Sequence, residues 1–128
     1  MIDLGDDSYI GELSTLQAYG LRRVQIGRGC MISHNVRIYS STADADCDFV
    51  NGPIHHRSGD VLIEDGVWIG ANCFIAPGVV IGKNSVVGAN SVVNMSVPRN
   101  EIWGGVPARP IRRKRSLKGI LTDGNGSL

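Results

Sequence analysis

The sequence predicts an all-β chain: a parallel β-helix of hexapeptide repeats with one protruding loop and a C-terminal tail. Two observations carry this, a strict period and a narrow choice of residues. Ile63, Ile69, Ile75, Ile81, Val87 and Val93 fall every six residues across 61–94. The residue after each is usually small (Gly70, Ala76, Gly82, Gly88, against Glu64 and Asn94), and the residue four places on is compact (Val67, Cys73, Val79, Ser85, Ser91). A helix repeats at about 3.6 residues and a strand at about 2, so neither accounts for this spacing. A parallel β-helix does: each hexapeptide forms one flat side of a prism and its aliphatic side chain points to the axis. Composition agrees. The 128 residues are 42% apolar but only 5% aromatic, with 17 glycines, which suits one domain with a narrow Ile/Val core and tight corners.

In chain order, Leu4, Ile10 and Leu16 already keep the step, with Gly5 and Gly11 following the first two. The stretch AYGLRR (18–23) interrupts it as a bulge or loop, and Ile26, Ile32 and Ile38 resume it. From about 39 to 60 the rule fails in a polar segment carrying Gly52, Pro53 and Gly59, which reads as a loop thrust out from the prism. Long loops in compact domains often carry function. The regular coils of 61–94 follow, and the β-helix is expected to occupy 1–98. Beyond Val97-Pro98 the chain turns rich in Pro, Gly and Arg over 99–115, and 116–128 reads as a flexible tail.

A formal charge of +1 gives no reason to expect nucleic acid. No apolar run is long enough to span a membrane, and the opening MIDLGDDS lacks the basic and apolar regions of a secretion signal. Cys30, Cys47 and Cys73 lack metal-type spacing, and Cys30 and Cys73 fall at compact inward positions. Free thiols without a signal point to the cytoplasm. Asp44, Asp46 and Asp48 alternate as in a calcium loop, but Phe49 replaces the required Gly and His55 the required Glu, so no metal is expected.

The run EDGVWIGANCFIAPGVVIGKNSVVGANSVV, followed by VP and GGVPARPIRR, resembles the hexapeptide-repeat acyltransferases. The resemblance covers roughly 23–113 and is closest to the xenobiotic, maltose and galactoside acetyltransferases and the polysaccharide O-acetyltransferases. It implies a left-handed β-helix, a homotrimer with intersubunit active sites, acetyl-CoA as acyl donor, and a saccharide or other small hydroxyl or amine acceptor. It also implies that Trp68 flanks the donor cleft, that backbone around Ala71 and Ala89 lines the pantetheine channel, and that Arg109 and Arg112 meet the CoA phosphates. The family's usual Thr-Lys-Asp after S-V-V is Asn94-Met95-Ser96 here, which removes one expected phosphate contact.

Acyl transfer needs a base for the acceptor's proton, donors for the thioester oxyanion, and a groove for the pantetheine arm. Histidine suits the first role because its ordinary pKa of about 6.5 lies near working pH. The family's base is a histidine in the protruding loop; counting back from Trp68, that place falls on Ala43-Asp44 in S-T-A-D-A-D. His55 and His56 lie later in the same loop, and His34, in I-S-H-N-V, resembles a turn of the lipid A acyltransferases. All three are candidate bases. The alternative is a catalytically degenerate trimer that binds ligand or serves as a scaffold. A hydratase of the carbonic anhydrase type is set aside, because His34, His55 and His56 do not give its H-x4-H step.

Overall fold

The computed structural model describes residues 1–115, so the tail expected over 116–128 lies outside the described residues. Among the described residues every element is a short strand, and no helix is long and apolar enough to cross a membrane. The first coil comprises β1 (Ile2–Leu4), β2 (Tyr9–Ile10) and β3 (Thr15–Gln17), and the second β4 (Val24–Ile26), β5 (Met31–Ile32) and β6 (Arg37–Tyr39). A hairpin of β7 (Ser41–Ala43) and β8 (His56–Ser58) interrupts the winding. It then resumes with β9 (Val61–Ile63), β10 (Trp68–Ile69) and β11 (Phe74–Ile75), followed by β12 (Val80–Ile81), β13 (Val86–Val87) and β14 (Val92–Val93). Finally β15 (Glu101–Gly105) joins β13 in parallel, and β16 (Ala108–Arg113) folds back antiparallel on β15.

Successive coils stack as three sheets: β1-β4-β9-β12, β2-β5-β10-β13-β15-β16 and β3-β6-β11-β14, here called sides A, B and C. Register is unbroken. On side A, Leu4, Ile26, Ile63 and Ile81 pair in turn; on side B, Ile10, Ile32, Ile69, Val87 and Trp103 do so. Leu16, Ile38, Ile75 and Val93 form the stack of side C. The hexapeptide step of the sequence is therefore one side of the prism, and three steps return the chain to the same side one coil higher. In the middle coils these aliphatic side chains are fully buried.

Strands stay this short because the corners demand a left-handed backbone. One corner column runs Asp7, Gly29, Gly66, Asn84 and Asn100, the next Leu13, Asn35, Asn72 and Asn90, all with φ between 54° and 69°. Glycine has no Cβ to clash in that region, and Asn and Asp tolerate it better than other residues. Each turn also hydrogen-bonds to the coil below, as when the Asn72 N–H donates to His34 O (3.0 Å) and the Asn90 N–H to Ala71 O (2.8 Å). The side-chain amides link as well: Asn35 Nδ2 donates to Asn72 Oδ1 and Asn72 Nδ2 to Asn90 Oδ1, both at 3.1 Å. A close approach explains the glycine at several of the positions after an aliphatic residue. A Cβ placed on Gly70 sits 2.6 Å from the Ala89 nitrogen, closer than any real contact allows.

The inward corner positions change character along the axis. Cys30, Val36, Val67, Cys73 and Val79 fill them in the middle coils. Serines fill them towards the ends, where Ser14 Oγ donates to Ser33 O (3.1 Å) and accepts from the Val36 N–H (3.0 Å). Trp103 closes the C-terminal end of the core, 5% exposed, with its indole N–H donating to Glu101 Oε1 at 2.9 Å. The first coil has no such cover: Leu4, an axial residue, is 49% exposed.

Leu13 is the one corner residue of its column that is not Asn. It holds φ at 65° while 79% exposed, so its side chain buries little in return for the strained backbone. Leu13→Asn is expected to stabilise the fold by about 1 kcal/mol, the scale of the left-handed penalty for an ordinary L-residue. The check is a higher urea midpoint at unchanged slope.

Candidate functional site

The protruding segment is a hairpin whose register decides which side chains share a face. Ser41 pairs with Ser58, Thr42 with Arg57 and Ala43 with His56. The Asp44 N–H donates to His55 O at 2.8 Å, flanking the last pair. Ala43 and His56 are thus a non-hydrogen-bonded pair, the kind whose side chains approach most closely, with Cα atoms about 4.5 Å apart. His55, one residue before, projects to the other face. His56 meets Tyr19 of the first coil's exit, ring centroids 6.5 Å apart and planes inclined by 22°. Gln17, Tyr19, Ser41, Thr42, Ala43 and His56 enclose a crevice of about 220 Å³. The hairpin's root is fixed: the Gly59 N–H donates to Ser40 O (2.9 Å) and Ser58 Oγ to Ser41 Oγ (2.9 Å).

The remaining candidates gather elsewhere. His34, Ala71 and Ala89 stand one above another at the corner between sides B and C, one coil spacing (about 4.8 Å) apart. Trp68 faces outward from side B in register with Met31 and Tyr9. The three are 38%, 42% and 54% exposed and form an apolar stripe. Arg109, exposed and pairing with Gly104, lies at the C-terminal end of the same corner, its Nη1 donating to Ala108 O (2.8 Å). Arg112 pairs with Ile102 at the other end of the β15–β16 ribbon. Within one protomer, side C separates the corner of His34, Ala71 and Ala89 from the hairpin, a span of roughly 16 Å at about 3.3 Å per residue.

The hairpin carboxylates are occupied locally. Asp48 Oδ1 accepts the Val50 and Asn51 N–H groups at 2.9 and 3.1 Å, which holds its carboxyl below the usual range, and Asp44 Oδ1 accepts the Asp46 N–H. On side A, an open concavity of about 520 Å³ contains Glu64, Lys83 and Arg99, and none of the predicted site residues. The Arg99 guanidinium, then the Lys83 N–H, lower the Glu64 pKa. The Arg99 side chain is largely solvated and Glu64 only partly covered, so the pair adds little, and what it adds above the carboxylate range fades as pH falls.

A model of the bacterial transferase hexapeptide family (six repeats) matches residues 60–94, the stretch in which the axial stacks are most regular. A maltose O-acetyltransferase from Clostridium difficile 630 shares the fold with a TM-score of 0.68 at 30% identity, over 91% of this chain and 68% of that one. The chain belongs to the hexapeptide-repeat transferase family. A galactoside O-acetyltransferase from Escherichia coli K12 is 37% identical over 97 residues, covering 70% of this chain. A variant of AntD, an N-acyltransferase from Bacillus cereus solved with dTDP-4-amino-4,6-dideoxyglucose and coenzyme A, matches with a TM-score of 0.82. It is 26% identical, over 96% of this chain and 68% of that one. Curated relatives are longer: this hexapeptide-repeat chain spans 43% of the galactoside enzyme and between 29% and 58% of others.

The sequence marks Tyr19 only as part of an interruption and 39–60 only as a protruding polar loop, which gives neither the crevice nor the Ala43–His56 pairing. A signal was present, since the short segments SSTA and HHRS flank a stretch rich in Asp, Asn, Gly and Pro. Both strands are polar and β8 is exposed throughout, so no alternation of apolar residues marked them.

The inward cysteines are buried as their spacing implied, Cys30 donating to Glu64 O and Cys73 to Gly88 O, each at 3.1 Å. Burial pushes the Cys73 thiol up, whereas Cys47 lies half-exposed in the hairpin. A thiol reagent is therefore expected to label Cys47 alone in the native protein, and all three cysteines only in denaturant. Rapid native labelling that survives Cys47→Ser contradicts this.

Proposed function

We propose that this chain forms the catalytic core of a CoA-dependent acetyltransferase. It moves an acetyl group from acetyl-CoA to a hydroxyl or amine of a sugar or related small acceptor, with His56 as general base. The observation that carries the choice of base is the Ala43–His56 pairing. The resemblance puts the base at Ala43-Asp44, and the hairpin register sets His56 opposite Ala43, where both line the crevice. His55 stands opposite Asp44 on the other face of the hairpin, away from that crevice, and His34 stands on the coil beyond side C. Support for the donor comes from the AntD structure with coenzyme A, and for a saccharide acceptor from the galactoside, maltose and amino-sugar relatives.

In this scheme His56 takes the acceptor's proton as its oxygen or nitrogen attacks the thioester carbon. The tetrahedral intermediate then collapses, the carbon–sulfur bond breaks, and the imidazolium returns the proton to the departing thiolate. Trp68, the Ala71 and Ala89 backbone, Arg109 and Arg112 hold the donor. Because the corner of Ala71, Ala89 and Arg109 lies across side C from the hairpin, one copy does not bring the two together, which favours a homotrimer in which the hairpin of one subunit meets the donor corner of the next. Following the resemblance, the coil is taken as left-handed.

With galactoside, maltose and amino-sugar acceptors and release of the CoA thiol as readout, His56→Ala is expected to lower turnover by roughly 10²–10⁴-fold. His55→Ala and His34→Ala should stay near the parent. Loss of activity in His34→Ala alone places the base on the coil, and parental rates in all three variants favour the degenerate scaffold.

The donor half has its own test. Changing Arg109 and Arg112 together to alanine should raise the acetyl-CoA KM by about tenfold or more, the worth of a charged hydrogen bond, without lowering kcat comparably. Mixed oligomers of this variant with His56→Ala subunits should recover activity that neither has alone, because one composite site then keeps both halves. Absence of recovery in verified mixed trimers excludes the shared site.

A further inference from the structure

We infer that Tyr19 is a positioning residue: the interruption after the first coil exists to stack a ring on His56 and hold the imidazole over the crevice. This rests on His56 being the base. The detour 18–23 breaks the hexapeptide step, yet it is firmly tied down. The Tyr19 N–H donates to the buried Ser40 Oγ at 2.8 Å, the Arg22 N–H returns to Tyr19 O at 3.1 Å, and Gly20 makes the turn at φ 63°. Just upstream, the Ser40 N–H donates to Gln17 O (3.0 Å) and the Ser41 N–H to Gln17 Oε1 (3.2 Å). Four hydrogen bonds thus fasten residues 17–22 into their turn and to the hairpin's root, and the Tyr19 ring is carried to His56 by that frame rather than by its own burial.

The chemistry needs such a device. Histidine bases are usually oriented by an acceptor on the second ring nitrogen. Among the described residues nothing hydrogen-bonds the His56 ring, and the Tyr19 ring stacks on it. A stacked partner covers a face, while both imidazole nitrogens lie in the ring plane. Stacking therefore fixes the plane and leaves both nitrogens for the proton transfer. His56 sits on an exposed strand, where an unheld side chain samples several rotamers and productive geometry is rare. Tyr19 lies 62% exposed on the crevice wall, so its substitution disturbs no core packing.

The experiment compares Tyr19→Phe, Tyr19→Leu and His56→Ala in the full chain, with the same acceptors, and follows the His56 ring-proton resonance, assigned by its loss in His56→Ala. Tyr19→Phe should keep both the parental kcat and the upfield position that a stacked ring imposes. Tyr19→Leu should move the resonance downfield and lower kcat by about tenfold while leaving the acetyl-CoA KM unchanged. An active His56→Ala enzyme removes the base assignment itself. An inactive His56→Ala beside a Tyr19→Leu enzyme of parental kcat, or a resonance that does not move in folded Tyr19→Leu, overturns the positioning role alone.

Discussion

One backbone constraint governs the molecule: parallel strands in three sheets must rise together by one inter-strand hydrogen bond per coil. Given that rise, a side chain on one coil lies directly above its counterpart on the last, so only residues that stack on themselves are tolerated. Ile26, Ile63 and Ile81 satisfy this on the axis, Asn35, Asn72 and Asn90 at a corner, and the glycines where backbones come closest. Aliphatic burial supplies the driving force, while the amide ladder and the left-handed corners prevent a slip in register. The same constraint fixes His34, Ala71 and Ala89 in one line and the hairpin a full side away, which is the geometry the proposed chemistry draws on.

This also explains what was legible from residues alone. The period of 61–94 revealed the axial stack, and extending it backward through Ile38, Ile32 and Ile26 to Leu16, Ile10 and Leu4 found the earlier coils. Inward Cys30 and Cys73 followed from spacing. Features outside the period were not legible in this way. The end of the coil is an example: Val97 bridges to Ile81 only four residues after Val93, and Trp103 then stacks on Val87. The shortened corner leaves no hexapeptide to count. β7 and β8 carry polar residues whose partners lie 13 to 17 positions apart, so their register depends on the turn between them and not on any pattern of burial.

The candidate site shows the same division. Trp68, Ala71 and Ala89 were singled out by the resemblance, and the repeat gives only their places on the coil. The proposal of His56 over His34 and His55 draws on the hairpin register, because in a strand pair one residue's shift reverses the face on which a side chain stands. Tyr19 needed contact between a bulge and a hairpin separated in sequence by a complete coil, for which a period offers no guide.

The hairpin leaves the prism and returns at a single hydrogen bond, Gly59 N–H to Ser40 O, 2.9 Å long. Its two ends therefore meet at one point of the scaffold, and beyond the contacts of Ser41 with Gln17 and of His56 with Tyr19 the stacks place few demands on what lies between them. The closure entropy of such a loop grows only slowly with its length, so residues can be added or exchanged there at small thermodynamic cost. The flat sides of the coil, by contrast, are held to the hexapeptide step, and departures fall at corners, as at 18–23 and between Val93 and Val97. A lineage built on this plan is free to diversify through one window while its frame stays rigid. New specificity in it arises by replacing an appendage, with no need to redesign a core.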